Sequence, residues 1–166
     1  MLFRSGEEIK PPPECTMTLN VSAFIPGSYV SSAAQRMSLY KRIAQIRDQL
    51  DREDITDELL DRYGELPRAA ANLLKIALLR SRAERCGITQ IRQDGATVHI
   101  VSPNLDVDIW MELSARFPGK LRMMLSANPY IQYRIDKGQA GLDGLVTLFG
   151  AYLELLESDA KKVDKS

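Results

Sequence analysis

His99 is the sole imidazole in the chain, which excludes a site built from several histidines. Its neighbours Thr97, Val98, Ile100 and Val101 supply no carboxylate to orient it, and the sequence identifies no reacting partner. A catalytic imidazole needs both a reacting partner and an orienting group, so His99 reads as a structural or surface residue. Two cysteines, Cys15 and Cys86, are too few for a four-cysteine zinc site or a disulfide scaffold. Cys86 ends a basic helix carrying Arg80, Arg82 and Arg85. Nearby cations favour a thiolate, whereas the negative end of a helix opposes one, so a buried inert thiol is expected. The stretch Gly138-Gln139-Ala140-Gly141-Leu142-Asp143-Gly144 is glycine-rich. It lacks the Lys-Ser/Thr pair that follows the glycines of a phosphate loop, and its spacing does not fit the dinucleotide fingerprint. No catalytic residue, metal ligand or cofactor is assigned.

Charge placement is more informative. Lys plus Arg and Asp plus Glu both number 22, a net charge of zero, which argues against a general affinity for nucleic acid. The charges are nevertheless segregated. Residues 48–65 hold eight acids against two bases, and residues 68–92 hold six bases against one acid. Asp54, Glu58 and Asp61 recur at i, i+4 and i+7, which makes one stripe on a helix, while Ile55, Leu59 and Tyr63 make another. One helix thus offers a core face and an acidic face. A charged face is commonly just solvated, here with the neighbouring basic helix as a natural counterpart. It also suits docking of a basic partner, where charge sets specificity and on-rate. Arg68, Lys75 and Arg82, spaced by seven with Arg85 nearby, form the one stripe that could meet phosphates.

These groups need elements to hold them. A chain of 166 residues can bury about 70% of the surface its unfolded form exposes, enough for one domain without staples. Residues 1–14, with Pro11-Pro12-Pro13, read as an extended linker from an upstream module, and the domain is placed at 15–157 with a polar tail at 158–166. Alternation predicts a strand over Thr16–Ala23, broken by Ile25-Pro26-Gly27. Helices are expected over about 33–50, with Ser31 or Ser32 as cap and Leu39, Ile43, Ile46 and Leu50 as apolar face, then over about 54–63 and 67–86. Gly64 sits where a left-handed C-cap belongs, and Pro67 suits the next first turn. Asp94-Gly95 joins hairpin strands 88–93 and 96–101. A helix at 106–117 carries Trp110 into the core, strands follow near 121–125 and 131–135, and a last helix spans about 142–157 with Leu145, Phe149, Tyr152 and Leu156 inward. The expected class is α+β: an N-terminal strand and helices, then a mainly antiparallel sheet with interleaved helices. No apolar run approaches the roughly 18 residues of a membrane span, and no signal-peptide core is visible in residues 1–10, so the cytoplasm is the expected compartment.

Several segments together resemble one family. They are Leu19-Asn20-Val21-Ser22-Ala23-Phe24-Ile25-Pro26, then Gln35-Arg36-Met37-Ser38-Leu39-Tyr40-Lys41-Arg42-Ile43-Ala44, then Glu58-Leu59-Leu60-Asp61-Arg62-Tyr63-Gly64-Glu65-Leu66-Pro67, with Asn72-Leu73-Leu74 and Gly87-Ile88 beyond. This pattern, specific over residues 17–92, resembles the C-terminal domain of the bacterial transcription-repair coupling factor. The resemblance implies a piece of an ATP-dependent DNA translocase that displaces stalled RNA polymerase and recruits the excision-repair protein UvrA. The motor would lie upstream, and the chain has no Walker motif. It implies a non-catalytic domain that packs on the N-terminal UvrB-like module of the same protein and masks the UvrA-binding surface. In that family the acidic positions of the segment matching 58–64 lie at the contact. Here they are Glu58 and Asp61, with Arg62 beside them and Asp54 one turn earlier on the stripe; Tyr63 stands where the family often has Phe.

Two other functions compete. A DNA-binding accessory module would use the basic helix 68–86, through Arg68, Lys75, Arg82 and Arg85, and its affinity would fall steeply with salt. A free-standing enzyme would need convergent titratable groups, and none can be assigned.

Overall fold

The computed structural model describes residues 14–137 and 139–164. Apart from Glu14, the linker expected at 1–14 lies outside the described residues, as do Gly138 and the last two residues. The chain forms an α+β domain in the order β1 (Thr16–Thr18), α1 (Ala33–Ile43), α2 (Gln49–Tyr63), α3 (Arg68–Arg85), β2 (Gln90–Asp94), β3 (Thr97–Val101), α4 (Val107–Arg116), β4 (Leu121–Met124), β5 (Tyr130–Arg134) and α5 (Gln139–Asp164). The five-stranded sheet runs β1-β2-β3-β5-β4. Only β1–β2 is parallel; the other three pairings are antiparallel.

Several expected elements change length. The strand over 16–23 pairs only across Thr16–Thr18. Beyond it the chain leaves the sheet for α3: the Phe24 N–H donates to Ala69 O at 3.2 Å, and Asn72 Nδ2 donates to Ser22 O at 3.0 Å. The break expected between the helices at 33–50 and 54–63 falls earlier, at 44–48, so the first helix is shorter and the second longer. α1 stops at Ile43, and α2 starts at Gln49 behind Asp48, whose carboxylate accepts from Asp51 N at 2.9 Å. Leu39, Ile43 and Ile46 are buried, but Leu50 falls on the outer side of α2 and is 69% exposed. The hairpin turn is Gly95-Ala96, one residue later than expected, with Gly95 at φ +61°. α5 runs past Glu157 to Asp164, and Leu156 faces out.

Two apolar cores share α3. Leu74, Ala77 and Leu78 meet Leu39, Ile43, Ile46, Ile55 and Leu59 of the helical lobe. Leu79, Ala83 and Cys86 meet Ile91, Val98, Ile100, Ile131 and Tyr133 of the sheet, with α4 and α5 over the same face. All helices therefore lie on one side of the sheet. Trp110 is 1% exposed there, packed edge-on to Phe149 and Tyr152.

Candidate interaction site on helix α2

α2 is fixed at both ends by local hydrogen bonds. At its start, Asp51 Oδ2 also accepts from Arg47 N at 3.0 Å, so Asp48 and Asp51 satisfy the chain entry between them. At its end, Gly64 takes φ +85° and donates its N–H to Leu60 O. The Tyr29 hydroxyl lies 2.7 Å from Gly64 O and 3.1 Å from Leu59 O, capping the carbonyl end from the facing loop. Ile55 and Leu59 face the core, as their spacing requires, which leaves Asp54, Asp57 and Asp61 exposed on the other side.

Among the described residues Glu58 is the one member of the acidic stripe that is engaged within the chain. Arg42, in the last turn of α1, holds it through two parallel bonds, Nη1 to Oε2 at 2.6 Å and Nη2 to Oε1 at 2.8 Å. Arg62, one turn along α2, reaches Oε2 at 3.4 Å. The hydrogen bond from Arg42 is the main cause that keeps the Glu58 carboxyl below the usual carboxylate range, with Arg62 assisting. The Arg62 guanidinium also lies 5.1 Å from the centre of the Tyr63 ring. The Tyr63 hydroxyl donates to Gln35 Oε1 at 3.0 Å and its ring packs at 5.7 Å on Tyr29. The site is thus an α1–α2 surface in which an Arg-Glu-Arg cluster stands between the exposed carboxylates of Asp54 and Asp61, neither of which has an ion-pair partner among the described residues. Asp54 also lines a polar groove of about 1140 Å³ with Arg42, Arg47, Asp51, Arg80 and Glu84.

Asp54, Glu58 and Asp61 lie along one side of α2, as their spacing predicts, but the basic helix that a solvated face would offer as counterpart is not what Glu58 meets. The partner is Arg42 of α1, one residue before the buried Ile43. An i, i+4 search within one helix could not connect it to Glu58, sixteen residues away.

The basic stripe of α3 is not an open phosphate-binding face. Lys75 Nζ pairs with Asp143 Oδ1 at 2.8 Å, and Arg82 Nη1 donates to Val146 O at 2.9 Å, both on α5. Burial lowers the Arg82 pKa, with Arg52 and Arg85 adding to the shift. Arg68 and Arg85 remain exposed at opposite ends of the helix. The four expected residues therefore do not converge, because α5 lies along the seam that two of them occupy.

The remaining sequence candidates lie apart from this site. Cys86 and Cys15 are buried. Burial raises the Cys86 thiol to about 12 and Cys15 to about 11, with Glu84 reinforcing the latter. His99 lies on the helix-free face of the sheet against Tyr130, with ring centres 5.3 Å apart. Among the described residues no group of three or more His, Cys, Asp or Glu is placed to hold a metal ion, and no helix is long and apolar enough to cross a membrane.

A family model for the TRCF domain matches residues 19–110, more than half of the 166. Curated relatives include the transcription-repair-coupling factors of Rickettsia bellii, 42% identical over 65 residues and 39% of this chain, and of Escherichia coli K12, 33% identical over 95 residues and 56% of this chain. That of Mycobacterium bovis is 32% identical over 117 residues, 70% of this chain. These matches span only 6%, 8% and 9% of the relatives' own lengths. A crystal structure of the C-terminal domain of a transcription-repair coupling factor superposes with a TM-score of 0.83 at 21% identity, covering 91% of this chain and 99% of that one. That likeness bears on the fold.

Proposed function

The chain belongs to the TRCF domain family, and from that premise we propose that it is a non-catalytic, autoregulatory docking domain of a DNA-repair translocase. In this reading the outer face of α2 docks on the N-terminal UvrB-like module of the same protein and masks the surface that UvrA would occupy. RNA polymerase and the DNA duplex would be engaged by other parts of the full protein, in the cytoplasm. One observation carries the reading. The acidic face of α2 stays open on a rigid helix, with Asp54 and Asp61 unpaired among the described residues and Glu58 held in fixed geometry between them. A basic partner surface meeting these carboxylates gains charge-assisted bonds, offset by the desolvation of both sides. Net affinity is then modest, which suits a contact that must release. A covalent tether raises the effective concentration enough to close such a contact, and competition with UvrA would open it.

The test is titration of this chain against the isolated UvrB-like module, with the wild type and the double variant Glu58→Lys/Asp61→Lys compared at low and high salt. Weaker binding by the variant, with its fold intact by circular dichroism, is expected. Equal affinity of both proteins at both salt concentrations would sink the assignment of the contact to α2.

A further inference from the structure

The helix-free face of the sheet has a composition of its own. Every buried strand residue, namely Ile91, Val98, Ile100, Ile131 and Tyr133, points to the helix side. On the other side the register lines up one row across four strands: Arg92 opposite His99, His99 opposite Gln132, and Gln132 opposite Arg122. Thr97 and Arg134 pair in a flanking row, and Val101 and Tyr130 in the other. No residue of this face is buried. Arg92, Arg122 and Arg134 are exposed, and none has an ion-pair partner among the described residues. Asp94 is the sole acid among the strand residues of the face, so a chain of zero net charge presents a cationic surface here. A shallow concavity of about 350 Å³ at the β4–β5 edge is lined by Thr97, Lys120, Arg122, Gln132 and Arg134. At the centre His99 and Tyr130 lie ring against ring.

An open antiparallel sheet face can simply be wetted, and alternation alone demands no more than that. Threonines, glutamines and balanced charges would satisfy it. This face instead spreads unpaired guanidinium groups around two aromatic rings. Arg92 and Arg122 are three strand spacings apart, roughly 14 Å at about 4.8 Å per spacing. That is the arrangement of a stacking platform flanked by phosphate contacts, in which bases lie on rings and the backbone follows the cations. A duplex keeps its bases stacked inside and could use the arginines but not the rings. We propose that this sheet face binds single-stranded nucleic acid, with Arg92, Arg122 and Arg134 on phosphates and Tyr130 with His99 stacking against bases. The site is separate from α2 and does not rest on the docking role given to that helix.

The test is fluorescence anisotropy of this chain with a labelled single-stranded DNA of mixed sequence, a duplex of the same sequence, and anionic lipid vesicles as parallel ligands. Weak single-strand binding is expected at low salt, with a log–log salt slope near −2, the value for about three phosphate contacts at −0.7 each. Arg92→Gln/Arg122→Gln/Arg134→Gln should weaken it at least tenfold and flatten the slope. Tyr130→Ala should weaken single-strand binding several-fold with little change in slope. Arg→Lys replacements at the three positions should retain most of the affinity, which separates a charge role from damage to the sheet. The proposal is overturned if the wild type does not bind the single strand at low salt, if the Gln variant binds as well as the wild type, or if duplex or vesicles are preferred. Loss of module binding in Glu58→Lys/Asp61→Lys with unchanged DNA binding would show that the two sites are independent.

Discussion

Arg42 touches both the stability of this domain and the availability of its acidic face, and the two effects have opposite consequences. Its guanidinium meets Glu58 through bonds of 2.6 and 2.8 Å, with the side chains 44% and 32% exposed. Exposed ion pairs contribute about 0.2–1 kcal/mol, and the bidentate geometry places this one near the top of that range. Arg42→Ala and Glu58→Gln should each cost about 1 kcal/mol, a drop in Tm of roughly 2–4 °C for a chain of this size. The pH dependence follows from the depressed Glu58 carboxyl. A group whose pKa is lower in the folded state stabilises at pH above its ordinary value and loses that contribution as pH falls through the folded value. Wild type and Glu58→Gln should therefore differ most at neutral pH and converge as pH falls below about 4. For docking the signs split. Arg42→Ala frees the Glu58 carboxylate and should tighten binding to the UvrB-like module, whereas Glu58→Gln should loosen it. Calorimetric melts from pH 7 to 3, with titration of the module at pH 7, measure both. A Tm loss beyond about 10 °C would mean that Glu58 supports the core rather than the surface. Weaker module binding by Arg42→Ala would refute competition between Arg42 and the partner.

Three further outcomes are expected. Leu59 is 1% exposed in the helical lobe, so Leu59→Ala should cost about 2–5 kcal/mol by urea unfolding; a cost under 1 kcal/mol would contradict its place in the core. Gly141→Ala should destabilise by about 1–3 kcal/mol although alanine is the better helix former, because a Cβ there meets the Asp136 carbonyl oxygen and comes within 2.7 Å of Ile135 Cγ1; thermal melts that rise would show that the segment can shift aside. Neither Cys15 nor Cys86 should react with an aromatic disulfide reagent at pH 8 in the native state, and both should react in denaturant; fast native labelling of either would place that thiol at the surface.

What the sequence disclosed follows the range of the interactions involved. Local signals were legible: Ser32 does cap α1, Gly64 does end α2 with positive φ, and Trp110 is core. The break between α1 and α2 was placed too late in the chain because Ile43, Ile46 and Leu50 continue an apolar spacing across it. The capping carboxylate of Asp48 was the competing signal, and it won. The acidic face of α2 could be drawn from periodicity, since Ile55 and Leu59 fix which side is inward. Its Arg42 contact, and the covering of Lys75 and Arg82 by α5, depend on residues 16 to 68 positions away, which no local pattern specifies. The cationic sheet face was hidden for the same reason: Arg92, His99, Gln132 and Arg122 form a row only once register is known.

Because α3 gives one side to each core, opening of one half is coupled to the other through a single helix. Melting the α1–α2 lobe would strip Leu74, Ala77 and Leu78, and the same helix would then release Leu79 and Ala83 from the sheet. The slowest amide exchange should therefore lie in the middle of α3 and extend into β2, β3 and β5 as one foldon, not two. A partner that clamps α2 would then slow exchange in strands it never touches. This domain would report docking across its whole body without any change of shape.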